Sequence, residues 1–481
     1  MRNIGRIGDI ESLEEYVESL GLELPVDREV ESGPSAPLAR PLEIYGRTVG
    51  NRFAILPMEG WDCTADGRPT ELTRRRWERW GLSGAKLIFG AEAIAVCPEG
   101  RASPSQLIML DETLADIAGL REHLVATHAR RFGGADDLVV GIQLTHSGRI
   151  AHPHDMARSE PRTLYHHPLL DERYDARGDD AVMSDAEVEQ VVSYFVRAAV
   201  LAQKAGFDFV DVKHCHGYLG HEFLSAVDRP GPYGGSFENR TRFLREVVAG
   251  IRSEAPGLGI AVRYSAVDFV PFVAGADDRT APARFASDRY PYAFGGDGTG
   301  LGVDLREPLA FLDLLAELGV TLVSASGGAE YNSHVMEPYV SQPVAPHHPP
   351  EDPLVGVVRL VKIVADLKRA RPELVHIGSG YSYLQRWLPN VAQAVVRMGW
   401  ADVIGIGRMA LSYPDIVVDI VQGRPLQEKR LCSACSWCDI APGFGVVSGC
   451  YMRDELYRGL PDFPRLRQAA RARCSFCQVS G

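Results

Sequence analysis

Between Gly206 and Arg242 the chain reads GFDFVDVKHCHGYLGHEFLSAVDRPGPYGGSFENRTR, and no other stretch constrains the fold as tightly. Phe207, Phe209, Val210 and Val212 form a short β-rich run behind a helix-ending glycine, Gly206, the pattern of a buried strand. Lys213, His214, His216 and Tyr218 then follow within six positions. Packing alone gives no reason for so many proton-handling groups in one loop. A strand whose carboxyl end carries chemistry belongs to a barrel or a doubly wound α/β sheet.

The same unit recurs along the chain. Runs at 52–57, 86–94, 138–144, 260–264, 321–324, 374–377 and 402–406 each read as a strand leading into a glycine-rich or charged loop. Helical stripes separate them: Ser184 caps, Glu187 completes a capping box, and Val191, Val192, Phe195, Ala198 and Ala199 form an apolar face. This alternation predicts an α/β fold with a parallel sheet. The 481 residues suffice for a single (β/α)8 TIM barrel, which spans roughly 250 to more than 400 residues with insertions. The expected organisation is an N-terminal extension over 1–36, the barrel over 37–425 with long active-site loops, and a cysteine-rich segment over 426–481.

A net charge of -12 argues against a nucleic-acid partner, which would need an excess of clustered cations. The opening MRNIGRIGDIESLEEY is interrupted by acids and has no apolar core of a signal peptide. No apolar run of about 18 residues occurs, so no membrane partner is expected. The expectation is a cytoplasmic protein whose nine cysteines serve as thiols or metal ligands before disulfides.

Lys213, His216-Gly217-Tyr218-Leu219, Phe223-Leu224 and the run Tyr233-Gly234-Gly235-Ser236-Phe237-Glu238-Asn239-Arg240-Thr241-Arg242-Phe243 together resemble the Old Yellow Enzyme superfamily of flavin oxidoreductases. Its members carry H-x-x-H/N-G-Y-L, F-L and Y-G-G-S-x-E-N-R-x-R-F after a barrel strand. The resemblance implies FMN at the carboxyl mouth of the barrel, a small-molecule substrate and a homo-oligomer. It implies that Pro57, Met58 and Glu59 meet the O4/N5 edge of the flavin. Glu59 stands where the family commonly has Thr, Ala or Cys, so local redox tuning should depart from the family pattern. Cys63 lies too far along to suggest a covalent flavin.

Glu92-Ala93 with Pro98-Glu99-Gly100-Arg101 resembles E-A-x-x-V-x-P-E-G-R, where Ala93 lets the ring lie against backbone. Gln143 opens a Q-L-x-H-x-G-R match and is implied to bond the flavin pyrimidine. Arg263 is implied to sit at N1/O2, where a fixed guanidinium favours the anionic reduced flavin. The loops Gly378-Ser379-Gly380 and Gly407-Arg408 close two consecutive strands and read as a phosphate cradle. For catalysis the resemblance implies hydride transfer from FMN N5 to an activated C=C, with His216 polarising the substrate carbonyl. Tyr218 matches the tyrosine that protonates the α-carbon. Lys213 takes the place of the family's first histidine, either to stabilise an enolate or to pair with an acid. His214 and Cys215 are expected to point into packing.

After the barrel, Cys432, Cys435 and Cys438 are spaced C-x-x-C-x-x-C, and Cys450 follows eleven residues later. Four thiolates so spaced suit zinc or an iron-sulfur cluster. The position resembles the 4Fe-4S site of the 2,4-dienoyl-CoA reductase and trimethylamine dehydrogenase groups, with a spacing that mixes the two. Cys474 and Cys477 offer an alternative, a zinc knuckle with Cys432 and Cys435. Those relatives continue into a dinucleotide domain, whereas here no G-x-G-x-x-G follows a predicted strand. Electrons are therefore expected to pass through the cluster to or from a separate protein, or to come from NAD(P)H above the flavin. The leading expectation is an ene-reductase. The alternative is an amine or C-H dehydrogenase that passes electrons to an external flavoprotein.

Two long insertions should cover the site. The first, 150–180, holds His152, His154, His166 and His167 at spacings too irregular for a metal site. The second spans 268–305 and exceeds an ordinary connection. Beyond it Tyr331, Asn332 and His334 are candidates for substrate contact.

Overall fold

The computed structural model describes residues 3–275, 279–332, 334, 339 and 349–468. Its centre is a closed parallel barrel of eight strands: β1 (Phe53–Ile55), β2 (Leu87–Ile88), β3 (Val139–Thr145), β4 (Phe209–Val212), β5 (Gly259–Ser265), β6 (Leu322–Ser326), β7 (Val375–Gly378) and β8 (Val403–Ile406). Neighbours in sequence pair in register, and β8 returns to β1 with Ile404 opposite Phe53. The outer layer is α1 (Glu71–Leu82), α2 (Leu114–Phe132), α3 (Asp185–Lys204), α4 (Arg242–Glu254), α5 (Arg306–Glu317), α6 (Pro353–Ala370), α7 (Leu388–Arg397) and the short α8 (Arg408–Ser412). The Ser184–Glu187 capping box opens α3 as expected. The TIM barrel read from the sequence is the fold.

One expected strand is broken. Instead of running through 86–94, the second strand pairs Ile88 with Val140 and resumes with Ala93 opposite Gln143. Five steps on one side face three on the other, which makes a bulge at 89–92 with Ala91 at a φ of 45°. Bulges re-aim side chains beside active sites. Here a Cβ on Gly90 would lie 2.5 Å from the Pro57 ring and 3.1 Å from Gln143 Cβ, so glycine is what allows the strand to bend over the site.

Side chains alternate along a strand, and the interior face tells two stories. Leu87, Val139, Phe209, Ala261, Leu322 and Val403 pack with Ile44 and Val49 as the plug of the barrel. The last two belong to a hairpin, Leu42–Ile44 with Arg47–Val49, that closes the amino end. Its turn residues Tyr45 and Gly46 both have positive φ, 52° and 70°, as a tight primed turn requires. Two positions beyond the plug, on the same face, stand Gly141, Asp211 and Arg263, and then Gln143, so the carboxyl end of the barrel is polar.

Outside the barrel, the N-terminal helix Ile10–Ser19 buries Leu13, Tyr16 and Val17. Asp27 straps this extension to α7 by accepting from Gln393 Nε2 at 2.8 Å and pairing with Arg397. The C-terminal segment has its own small core of Ala441, Val446, Tyr451, Tyr457 and Leu466. It is tied to α1 by Arg75, which grips Asp454 at 2.8 and 3.0 Å. Cys474 and Cys477 lie outside the described residues. Among the described residues no helix is long and apolar enough to cross a membrane.

The plug gives a test of the interior. A Cβ on Gly141 would fall 2.2–2.5 Å from the Phe209 ring, so Gly141→Ala should lower stability by about 1–3 kcal/mol, read as a lower denaturant midpoint.

Candidate active site

The polar mouth of the barrel opens into a cleft of about 1180 Å3, the solvent-filled space at its opening included. One wall is built for a flat, hydrogen-bonding ring. Gln143 and Arg263 both line it, and between them Asp211 lies fully buried. The Asp211 carboxylate accepts from Gln143 Nε2 at 2.5 Å and from the Arg263 backbone N–H at 2.7 Å. Burial pushes its carboxyl up to about 6. Asp211 thus fixes the Gln143 amide and holds the strand that carries Arg263. Arg263 itself is 8% exposed, and its Nε is buried without a hydrogen-bond partner. Among the described residues Arg263 has no salt-bridge partner; the buried Asp211 carboxylate feels its charge, and its open Nε is left to meet a ligand in the cleft.

The opposite end of the cleft is lined by Ser379, Gly380, Gly405, Gly407 and Arg408. Gly380 sits at a φ of 93°, and a Cβ on Gly407 would lie 2.8 Å from Met58 Sδ. Both expected phosphate loops therefore present bare backbone to the same space. Pro57 and Met58 line the cleft too, whereas Ala93 is buried in the sheet opposite Gln143 and does not. The residues present suit FMN: an amide and a guanidinium for the ring, and glycines with an arginine for the phosphate.

Above this wall stand the expected proton-handling groups. His216 has a positive φ of 64°, and its Nε2 meets Ser326 Oγ at 2.8 Å. Burial, then the Arg263 and Lys213 charges, hold it well below the usual histidine range, so it is neutral at pH 7. Tyr218 Oη donates to Glu59 Oε2 at 2.8 Å, and Lys213 Nζ donates to Glu59 Oε1 at 2.9 Å. Lys213 Nζ also lies 3.2 Å from the centre of the Tyr218 ring. Burial and the Glu59 charge keep the phenol well above the usual tyrosine range. Of the two roles open to Lys213, the pairing with an acid is the one observed. Glu59, expected at the flavin edge, lines the same cleft as Pro57 and Met58 and bridges Lys213 and Tyr218.

The turn that carries these groups is braced from behind, where the Gly217 N–H donates to His221 Nδ1 at 3.0 Å. The Glu59 loop is braced by a buried ion network. Arg76 reaches Asp62 at 2.6 and 2.8 Å and Glu92 at 3.0 Å, and Glu92 accepts from the Gly60 N–H at 3.0 Å. Asp62, Cys63 and Glu92 bring three ligand-type atoms within 4.8 Å of one another, but the Arg76 guanidinium already fills the role of a cation there.

Other expected residues separate into cover and support. Ile150, Leu170 and Tyr174 of the first insertion pack against Tyr218, with Trp61 and Tyr331 beside them. That insertion roofs the Tyr218 side of the cleft. Two of its histidines bond within the loop, His154 to Glu160 and His166 to Asp171 and Asp179, and His167 ties it to Tyr290 of the second insertion. Asn332 and Tyr331 both bond Asp268, while His334 packs edge-on to Phe272. His214 and Cys215 are buried away from the cleft, His214 among Phe243 and Phe311.

Cys432, Cys435, Cys438 and Cys450 line one smaller cavity of about 310 Å3. Cys438 and Arg408 line both this cavity and the main cleft. Among the described residues no three of these four Sγ atoms come within 4.8 Å of one another. The sequence reading missed Asp211, although a lone carboxylate inside the run FVDV was the available signal. It also missed Trp61, Glu330 and Asp439, which line the cleft; Trp61 sits in a loop, and Glu330 and Asp439 in single-turn helices.

Residues 37–280 match the NADH:flavin oxidoreductase / NADH oxidase family. The chain is 28% identical over 381 residues to the NADPH dehydrogenase of Bacillus subtilis, covering 78% of this chain and 92% of that protein. It is 31% identical over 305 residues to the Bacillus pumilus NADPH dehydrogenase, covering 62% and 75%. Among solved structures it resembles 2-naphthoyl-CoA reductase in complex with 2-naphthoyl-CoA, with a TM-score of 0.64 and 19% identity. That match covers 88% of this chain but 57% of the reductase. The old yellow enzyme homologue from Zymomonas mobilis gives a TM-score of 0.55 and 20% identity, covering 82% and 94%.

Asp211→Ala removes the acceptor shared by Gln143 and the Arg263 backbone. Leaving buried donors unpaired costs about 1–3 kcal/mol, so FMN should bind roughly 10–100-fold more weakly, measured by flavin fluorescence on titrating the apoprotein.

Proposed function

The chain belongs to the NADH:flavin oxidoreductase / NADH oxidase family and is a flavin-dependent NAD(P)H oxidoreductase of the Old Yellow Enzyme type; from that premise we propose that it is an ene-reductase acting on an unsaturated carbonyl substrate. The observation that carries the proposal is the convergence of Tyr218, neutral His216 and Arg263 on one cleft. FMN, when bound, supplies a hydride at N5 for the β-carbon of the substrate. Gln143 and Arg263 hold the ring, and the glycine loops with Arg408 hold its phosphate.

The protein's own part is binding, polarisation and proton delivery. His216 presents an imidazole that Ser326 orients, and a neutral imidazole N–H donates to a carbonyl oxygen without a competing charge. Tyr218 supplies the proton for the α-carbon. Its phenol stays protonated across the physiological range because burial and Glu59 hold it there, so it serves as an acid that is always loaded. The Ile150, Leu170 and Tyr174 roof keeps bulk water from that proton.

The four cysteines are proposed to hold a 4Fe-4S cluster that relays electrons between the flavin and a separate protein. The four thiols line one cavity, and four thiolates are the ligand set that such a cluster takes. Cys438 on the boundary of both cavities supports electron exchange across it.

A second reading, dehydrogenation of an amine or C-H substrate, is favoured by one feature: Tyr218 rests against a carboxylate that Lys213 keeps ion-paired. In that arrangement the phenol can hand its proton to Glu59 in the same step in which it takes one from the substrate, without forming a free phenolate. The proposed ene-reductase is tested with Tyr218→Phe. Reoxidation of the reduced flavin by 2-cyclohexen-1-one should slow by roughly 100-fold or more, with a far smaller effect on flavin reduction by NADPH. Equal reoxidation rates in variant and parent would remove Tyr218 as proton donor.

A further inference from the structure

Glu59 is a charged group on the cleft to which the ene-reductase chemistry above gives no task. It stands four positions past the end of β1, and its two oxygens have different partners. Oε1 takes a hydrogen bond from Lys213 Nζ at 2.9 Å, and Oε2 lies 2.8 Å from Tyr218 Oη. A structural ion pair accounts for the first contact but not the second. The second oxygen is turned onto the phenol that lines the reaction cleft. The side chain is also 18% exposed, against 5% for Lys213, so Glu59 is the member of the trio in touch with solvent. The ion network of Arg76, Asp62 and Glu92 holds the loop in this position through Gly60.

We propose that Glu59 is the proton store behind Tyr218, so that protons reach the substrate by a two-step relay from solvent through Glu59 and then Tyr218. The inference deepens the ene-reductase reading and rests on Tyr218 being its proton donor. In the reductive direction the Tyr218 O–H bond breaks and its proton joins the α-carbon. At the same time the O–H bond of protonated Glu59 breaks and that proton re-forms Tyr218 O–H. The substrate has then gained the hydride and one proton. Glu59 is left as a carboxylate, balanced by the Lys213 ammonium, and regains its proton from water at the mouth.

The relay removes a difficulty in the simpler mechanism. Without it Tyr218 would end each turnover as a buried phenolate 2.8 Å from a carboxylate oxygen, two like charges in a site poorly reached by water. Burial and the Glu59 charge already hold the phenol well above its ordinary range. With the relay, the residue that becomes charged is the one with the ammonium beside it. Run backwards, the same path draws a proton from a substrate C–H through Tyr218 to the Glu59 carboxylate. Reduction should therefore speed up as pH falls, and dehydrogenation as pH rises.

Other titratable groups facing the pair are Lys213 and His216 from the β4 loop, Arg263 from β5, Glu330 from the β6 loop, and Arg408, Cys438 and Asp439 from beyond β8. Cys215 lies behind them, its thiol pushed up to about 11 by burial. Burial and its cationic neighbours keep His216 neutral, and Glu330 is exposed.

The test is the rate at which 2-cyclohexen-1-one reoxidises the dithionite-reduced holoenzyme from about pH 5.5 to 9.5. In the parent the logarithm of the rate should fall with rising pH, its slope approaching −1. Glu59→Gln should flatten the profile and lower the rate near pH 6 roughly 100-fold, while Glu59→Asp should keep the slope. In infrared difference spectra, a carboxyl band that Glu59→Gln abolishes should titrate with the same midpoint as the rate. A flat parent profile, a slope that survives Glu59→Gln, or an infrared midpoint apart from the kinetic one would each overturn the relay. Tyr218→Phe separates the two readings. Reoxidation as fast as the parent's would sink the proton-donor assignment itself, and slow reoxidation with the slope intact in Glu59→Gln would sink the relay alone.

Discussion

Closure of the sheet is the constraint from which the rest follows. Once β8 pairs with β1, every second side chain of eight strands points into one narrow tube, and the amino half of that tube is filled by Phe209, Leu322 and the hairpin residues Ile44 and Val49. An apolar plug can exclude water only along part of the tube. The next residues on the same face must meet a ligand or solvent, and they are Asp211, Gln143 and Arg263. The site is thus the continuation of the core by other residue types, which is why its groups are held as rigidly as the core.

Charge arithmetic within the mouth links packing to function. Asp211 is buried and bonded on both oxygens, Glu59 is paired with Lys213, and Arg76 is paired with Asp62 and Glu92. Arg263 is buried and left open. The Arg263 charge is felt by the buried Asp211 carboxylate, yet its buried Nε has no hydrogen-bond partner, which leaves a donor on the cleft wall for an electron-rich ring.

The sequence disclosed much of this because the barrel repeats one unit. Each strand is a short apolar run; Gln143 and Arg263 stand in the carboxyl halves of β3 and β5, and His216, Tyr218 and Arg408 just past theirs, so position narrowed the candidates while the family resemblance supplied their roles. What escaped was of two kinds. The bulge at 89–92 reads as continuous strand because its residues are apolar, and only the register against β3 reveals two extra ones. It moves Ala93 into the sheet and turns Glu92 toward Arg76. Contacts between units also escaped: the Lys213–Glu59 bridge joins β4 to the loop after β1, 154 positions apart, and no local pattern encodes it. The cover loops escaped for a related reason, since His167 with Tyr290 and Asn332 with Asp268 are long-range pairs inside irregular segments.

The central claim is that a flavin lies across this mouth, beside a four-thiolate site that exchanges electrons with it. Its most direct test is an anaerobic absorption spectrum of the purified protein, with flavin, iron, sulfide and zinc determined on the same sample. The account predicts about one FMN per chain together with the iron and sulfide of one 4Fe-4S cluster, and bleaching of both chromophores by dithionite. A colourless protein, or one with flavin but zinc in place of iron and sulfide, would contradict it.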